Sequence, residues 1–212
     1  HMPFLAVGMS LAGYLPVAGA AGFFEDSKAS MELRNFYMNR DFREGSGQSQ
    51  REEWAQGFIL RYESGYTAGT VGVGVDAIGM LGVKLDSGRG RSGTGLLPVQ
   101  DDGGVDDDYA KAGATLKLKV SNSELRVGTL LPKWPTLAAN NGRLLPQTFE
   151  GAQLQIGEFK PLELVGAHIR DTVYRDQSGS EGLSLNNKNR RFSGPLDGGD
   201  FDVLGATYRL GQ

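Results

Sequence analysis

The stretch TAGTVGVGVDAIGMLGVKL, residues 67–85, decides between two very different folds. Gly72, Gly74 and Ala77 have the spacing of a dinucleotide-binding fingerprint, which needs a strand before it, a helix after it and an acidic residue ending the next strand. Neither context is evident here. Instead the residues alternate with period two, with apolar side chains such as Val73 on one face and small or polar residues on the other. This alternation predicts a long β-strand.

Composition excludes several classes of protein. The 212 residues include 32 glycines and no cysteine, and the net charge is −3. Without cysteines the chain forms neither disulfides nor thiolate metal sites, and two histidines are too few for a histidine-based metal site. The slightly acidic balance does not support binding to nucleic acid. We therefore expect no cofactor, no metal and no nucleic-acid partner.

Two motifs could suggest hydrolase catalysis or calcium binding, but the sequence supports neither. His168 and Asp171 lie near several serines, but no nucleophile elbow or oxyanion-loop motif accompanies them, so we do not expect an enzyme. The acidic run DDGGVDDD, residues 101–108, lacks the spacing of an EF-hand. We predict a solvated acidic loop there.

The amino end resembles an export signal. PFLAVGMSLAGYLPVAGA, residues 3–20, is uncharged and closes with an Ala-Gly-Ala arrangement suited to signal peptidase. A membrane anchor helix is the alternative, although Pro16 and several glycines disfavour it. We predict a signal-peptide-like segment over residues 1–20 and a β-barrel over residues 21–212.

Beyond residue 21, period-two segments alternate with polar breaks, and no helical stripe appears. The predicted strands cover residues 29–39, 53–63, 67–85, 109–120, 124–131, 149–156, 162–170 and 202–210. Long and short connections alternate between them, as in outer-membrane barrels, where short turns face the periplasm and long loops face outward. The predicted fold class is all-β, an antiparallel transmembrane β-barrel of the porin type.

The faces of the strands are compatible with that fold. Residues 109–120 carry alanines and leucines on one face and lysines on the other. A soluble barrel would bury the apolar face, whereas a porin turns it to lipid and keeps the lysines in its lumen. Alternation alone leaves both open. Aromatic residues near predicted strand ends, including Trp54 and Tyr208, favour lipid because amphipathic rings settle at the membrane interface.

A basic lumen face is the main candidate functional feature. The cations that fall on polar strand faces are Arg34, Arg61, Lys111, Lys117, Lys119 and Arg126. A row of cations in a wet passage lowers the energy of an anion and hands it from site to site. The alternative is a solvated face on which these cations pair with carboxylates such as Glu32 and Glu124.

The segment PKWPTLAANNGRLLPQTF is too apolar for an ordinary exposed loop. We predict that residues 132–148 fold into the barrel, narrow the pore and present Lys133 and Arg143 to its lumen. A surface loop that covers another loop is the alternative.

Five motifs resemble the amino-terminal half of the OprD-type substrate-specific outer-membrane porins. They are GFFEDSKASMELRNFYMNRDFR, WAQGFILRYESGYTAGTVGVGVDAIGMLGVKLD, GTGLLPV, DDYAKAGATLKLKVSNSELRVGTL and NNGRLLPQTFEGAQLQ. The resemblance implies a monomeric eighteen-stranded barrel in the bacterial outer membrane, in contact with its lipid. It also implies uptake of small carboxylates, either basic amino acids or aromatic and cyclic acids, along a basic ladder and past an inward-folded third loop. Arg34, Arg126, the lysines of AKAGATLKLKV and the segment 132–148 match the family's pattern.

The chain departs from that family by stopping after the eighth predicted strand. A fragment, a half-barrel that pairs with another chain, and a barrel of eight strands are three possible explanations. An open edge in lipid leaves backbone groups unpaired, and closure at eight strands fills the lumen. We therefore expect the first half of an eighteen-stranded channel. The alternative is a small closed barrel, acting as membrane anchor or ligand-binding module, in which residues 29–39 pair with residues 202–210.

Overall fold

The computed structural model describes residues 21–42, 47–159, 161–183 and 199–209. The signal-peptide-like segment predicted for residues 1–20 lies outside this part. A short helix, α1, is followed by nine strands. Their bounds are α1 Ala21–Glu25, β1 Lys28–Asp41, β2 Gln50–Glu63, β3 Gly72–Asp86, β4 Asp108–Val120, β5 Ser123–Leu130, β6 Thr148–Phe159, β7 Leu162–Val173, β8 Glu181–Gly182 and β9 Phe201–Tyr208.

The strands form one antiparallel sheet in which each of β1 to β7 pairs with the next. Both β8 and β9 pair with β7, β8 near its end at Asp171 and Thr172, and β9 along residues 162–169. In the described residues β1 pairs with β2 alone and makes no pair with β9. The all-β prediction is confirmed as an antiparallel half-barrel. The pairing that closure at eight strands requires is not present in this part of the chain.

All eight predicted strands are found, but the third begins later than predicted. Its ladder starts at Gly72, and residues 64–71 form a connection in which the Ser64 amide donates to the Val75 carbonyl at 3.0 Å. The β2–β3 turn, residues 64–71, is as long as the β1–β2 connection, residues 42–49. The predicted alternation of long and short connections is therefore wrong for these first two connections. Helix α1 was not predicted. It packs on this turn, where the Gly65 amide donates to the Phe23 carbonyl.

The apolar face of the sheet points outward, which is the orientation that the aromatic residues near strand ends favoured. Its exposed members include Leu33, Phe58, Leu60, Val73, Val75, Leu81, Leu116, Val127, Leu154 and Leu204. On the opposite face Lys111 and Lys117 are buried. A soluble barrel would show the reverse arrangement. The outward face is therefore the one that meets lipid, and the inward face lines the lumen.

The glycines of β3 allow close approach rather than phosphate binding. A Cβ atom on Gly82 would lie 2.2 Å from the ring of Tyr109, on the neighbouring strand β4. A Cβ atom on Gly74 would lie 2.8 Å from the Gly65 carbonyl oxygen. Both glycines are on the inward face, where side chains from β4 and the turn 64–71 need the space. The nucleotide interpretation therefore fails, because Gly72 and Gly74 lie within a strand that pairs along its whole length.

Two loops cover part of the inward face. Leu96 and Leu97 of the β3–β4 loop, residues 87–107, pack with Leu144 and Leu145 of the β5–β6 loop, residues 131–147. All four side chains are fully buried, against a wall that includes Ile59. In the acidic run 101–108, predicted to be a solvated loop, four of the five aspartates are exposed, whereas Val105 is buried. In a smaller cluster around Phe149, Trp134 and Leu137 are partly buried.

The described residues contain no helix with the length and apolar character needed to cross a membrane. In the same part of the chain, no group of three or more His, Asp or Glu side chains is placed to hold a metal ion.

Candidate substrate-binding site

Lys117 stands at the centre of a charge cluster on β3, β4 and β5. Its ammonium group lies 2.6 Å from the Asp76 carboxylate and donates to the Ser64 carbonyl at 2.9 Å. Arg126, directly opposite Lys117 on β5, pairs with Glu124 and lies 3.7 Å from Asp76. The Lys117 side chain is 5% exposed and that of Arg126 is 40% exposed. Of these two cations, only Arg126 has a large open surface.

Lys119 lies at the end of the same strand, close to the turn 64–71. Its ammonium group stands 5.4 Å from the centre of the Tyr66 ring, and the ammonium of Lys117 stands 5.0 Å from the same ring. Burial and the hydrogen bond that the hydroxyl donates to Glu124 raise the pKa of Tyr66. The phenol therefore stays neutral, and its ring face supports two cations.

Arg34 and Arg61 share the carboxylate of Glu32. Arg34 bonds to one oxygen at 2.6 Å and Arg61 to the other at 2.9 Å. Arg34 also donates to the Arg143 carbonyl at 3.0 Å and to the Asn141 side chain at 2.9 Å. Arg34 thus links β1 to the β5–β6 loop. The guanidinium of Arg61 has fewer hydrogen-bond partners, and its side chain is the more exposed of the two.

Lys111 is placed differently from the other predicted cations. It is buried, and its ammonium group donates to the Tyr174 carbonyl at 2.8 Å. The neighbouring Tyr109 hydroxyl lies within hydrogen-bonding distance of the Leu96 and Arg175 carbonyls. Lys111 therefore holds the segment after β7 against the wall, and it does not face open space.

Lys133 belongs to the β5–β6 loop and is exposed. Within the described residues, no hydrogen bond or ion pair to its ammonium group is found. It borders an open groove of about 470 Å³ between this loop and the wall. The charged and polar residues around this groove are Arg61, Glu63, Asp76, Thr115, Arg126, Thr129, Lys133, Asn141 and Gln153. Three of the predicted cations, Arg61, Arg126 and Lys133, meet at this groove.

Arg143 marks a second basic region, at the contact between the two loops. Its Nε donates to the Thr94 carbonyl at 3.3 Å. Burial and the like charges of Arg175 and Arg40 lower the pKa of Arg143. Sequence reasoning missed Arg40 and Arg175, since one lies at the end of a strand and the other in a loop. The alternation of polar and apolar residues carries no signal for either of them, because the charge that each contributes near Arg143 depends on how the loops pack.

The two basic regions offer charge and hydrogen-bond donors, which suit a small anion. The groove also contains carboxylates, so it is a mixed surface and not a purely cationic one. The predicted cations fall into four places: the open groove (Arg61, Arg126, Lys133), the exposed end of β4 (Lys119), the contact between the loops (Arg143), and positions that hold the wall and loops together (Arg34, Lys111, Lys117).

The chain matches the model of the family described as outer membrane porin, OprD family, over residues 21–212. It is 44% identical over 204 residues to the porin-like protein GalP of Pseudomonas putida, covering 96% of this chain and 48% of that protein. Among solved structures, Pseudomonas aeruginosa OccK9 (OpdG) matches with a TM-score of 0.83 and 51% identity, over 89% of this chain and 48% of that one. Pseudomonas aeruginosa OpdK, solved with vanillate, matches with a TM-score of 0.78 and 42% identity, over 90% of this chain and 46% of that one.

The chain thus spans about half the length of the relatives that it matches. The relatives are porins, which are channels and not enzymes, in agreement with the prediction from the sequence. The family match, the two relatives solved as structures and the outward apolar face agree with one another. The chain belongs to the OprD family of outer-membrane porins.

Proposed function

We propose that the full-length barrel is a diffusion channel for small carboxylate-bearing nutrients, and that cations on its lumen face guide them. The observation that carries this proposal is the groove bordered by Arg61, Arg126 and Lys133. It lies on the face opposite the lipid-facing apolar side chains, where a permeating molecule would pass. Outer-membrane lipid is the medium around the barrel, and the channel acts as a monomer.

The charge distribution in the groove favours weak binding of an anion, so that the anion is attracted but released again. Lys133 has an unengaged ammonium group in the described part of the chain, whereas Arg126 already pairs with Glu124 and Arg61 with Glu32. An entering carboxylate would gain the field of all three cations but a full ion pair with Lys133 alone. Conduction needs such sites, which attract a permeant without holding it tightly.

The carboxylates of the groove favour a substrate that has a hydrogen-bond donor in addition to its own carboxylate. Glu63 and Asp76 line the same space as the three cations. A molecule with a carboxylate at one end and a hydrogen-bond donor at the other would satisfy both kinds of charge. Vanillate, present in the OpdK structure, carries a carboxylate and a phenolic hydroxyl. Aromatic acids and amino acids with this pairing are the substrate class we propose.

The β5–β6 loop is the proposed constriction. Leu144 and Leu145 fix one end of it to the wall, and Arg34 donates to the Arg143 carbonyl and the Asn141 side chain. Such anchoring holds Lys133 and Arg143 at the narrowest part of the passage.

The test is uptake by proteoliposomes that contain the full-length porin. We expect vanillate to enter faster than its methyl ester, which has nearly the same shape and no charge, by about fivefold, since one favourable charge contact is worth roughly 1 kcal/mol. Raising the salt concentration should shrink this ratio, because screening weakens the cation field.

An empty-liposome control corrects for direct passage of the ester through lipid. Equal porin-dependent rates for acid and ester, at low salt, would contradict the carboxylate proposal. Passage of neither compound, with normal chloride conductance, would contradict the choice of aromatic acids and leave amino acids as the class to measure.

A further inference from the structure

Glu53 is a fully buried carboxylate on the inward face of β2. It accepts hydrogen bonds from the Gly93 amide at 2.8 Å, from the Thr94 amide at 3.4 Å and from the Thr94 hydroxyl. No salt bridge to Glu53 is found within the described residues. Burial of a carboxylate is costly unless hydrogen bonds compensate it, and here every donor belongs to one turn of the β3–β4 loop. Glu53 therefore fixes the position of that turn.

The backbone conformation of the turn around Thr94 suits these hydrogen bonds. Gly93 has a φ of 92° and Gly95 a φ of 80°, a backbone region that favours glycine, and they stand on either side of Thr94. Arg51, two residues before Glu53, donates to the Gly93 carbonyl at 3.1 Å. The same strand thus contacts both the donor and the acceptor groups of the turn.

Thr94 passes this restraint to the other loop. Its carbonyl oxygen accepts the hydrogen bond from Nε of Arg143, in the β5–β6 loop. The next residues, Leu96 and Leu97, pack with Leu144 and Leu145 in the apolar contact between the loops. A continuous path of contacts runs from the Glu53 carboxylate through Thr94 to the Arg143 guanidinium.

We propose that Glu53 is a positioning residue, which holds the β3–β4 loop so that the Thr94 carbonyl keeps the guanidinium of Arg143 in place at the contact between the two loops, which we take as the narrow part of the passage. This inference rests on the proposed channel function. Loss of the carboxylate frees the turn, so that the passage fluctuates and Arg143 no longer attracts anions at a fixed place. The anionic Glu53 thereby supports the anion preference of the channel, although its own charge opposes anions.

The test is single-channel recording of the full-length porin with Glu53→Gln. The amide keeps the shape, but its NH₂ group replaces one carboxylate oxygen and cannot accept the hydrogen bond that the Thr94 hydroxyl donates. We expect more frequent current transitions and a chloride-over-potassium permeability ratio, from reversal potentials in a salt gradient, that falls by about twofold. The readout uses inorganic ions, so it stays informative even if carboxylate uptake fails.

Glu158→Gln is the matched control, because this carboxylate also holds a turn by accepting hydrogen bonds, from Ser121, Asn122 and Ser123, but that turn joins β4 to β5. It should leave transitions and selectivity unchanged. A Glu53→Gln channel that behaves like the Glu158→Gln channel would overturn the proposal.

A second pair of variants keeps the test decisive if Glu53→Gln does not assemble. Thr94→Val removes the hydroxyl that bonds to Glu53, whereas Thr94→Ser retains it. We expect the valine variant to show the altered traces and the serine variant to behave as wild type. Identical traces from the two variants would contradict the positioning role.

A double-mutant cycle tests whether Glu53 acts through Arg143. Arg143→Gln removes the guanidinium, so adding Glu53→Gln to it should cause no further fall in selectivity. Independent losses that multiply in the double variant would show that Glu53 does not act through this side chain.

Discussion

Two cations of the strands and two cations of the β5–β6 loop in this porin differ in how their charge is compensated. Lys117 and Arg61, on strands, pair with Asp76 and Glu32. In the described residues, Lys133 in the β5–β6 loop has no such partner, and Arg143 stands beside two further arginines. The difference teaches that an inward-facing cation is not automatically a binding site. In this structure most wall cations hold strands and loops together, and we propose that Lys133 and Arg143 of the β5–β6 loop present the charge that a permeating anion meets.

The largest effect expected from this comparison concerns Lys117. Lys117→Gln leaves Asp76 without its close cation, and breaking a nearly buried ion pair lowers the free energy of unfolding by about 3 kcal/mol. Urea unfolding of the full-length barrel in detergent micelles measures this change. Lys119→Gln is the matched control on the same strand face. That exposed lysine contacts the Tyr66 ring, so we expect a loss below about 1 kcal/mol. Equal losses for both variants would erase the distinction between buried and open strand cations.

A smaller effect is expected where the wall is packed without a charge. Gly82→Ala forces the Tyr109 ring to move, and overpacking of this kind costs about 2 kcal/mol. Because Tyr109 contacts the β3–β4 loop at Leu96, the change should also alter the conductance of the channel. Gly79→Ala is the control, since a Cβ atom there meets open space on the outward face. Similar free energies of unfolding for the two alanine variants, in the same urea assay, would contradict this prediction. They would show that the Tyr109 ring can shift at little cost.

Period-two alternation made most of the sheet predictable from the sequence. The two faces of β3 and β4 follow directly from the order of residues such as Val73 and Lys117, because neighbouring side chains on a strand point to opposite faces. Which face points inward was decided by the aromatic residues near strand ends and not by the alternation. The start of β3 could not be found in this way. Residues 67–71 continue the alternation, yet they lie outside the ladder, and the Thr67 amide donates to the carbonyl of Val73 at the start of β3.

The loops were harder to predict, because their structure depends on contacts distant in sequence. The run GTGLLPV, uncharged and apolar within a charged loop, was the signal that Thr94, Leu96 and Leu97 are buried. Glu53 also carried a signal, since it shares the face of Ala55 and Ile59 and is charged at a buried position. The cluster of Arg40, Arg143 and Arg175 had none. It exists because three separate segments pack together, which no local pattern reveals.

The most direct test of the account changes the charge at position 133 chemically. This chain has no cysteine, so Lys133→Cys gives a single reactive site within it. Reversal potentials in a salt gradient are measured before and after reaction with an ethylammonium or an ethylsulfonate thiosulfonate reagent. We predict that anion preference falls in the cysteine variant, returns with the positive reagent and falls further with the negative one, each step by about 1 kcal/mol or less. Full modification by both reagents with no change in reversal potential would contradict the central claim that loop cations supply the charge felt by passing anions.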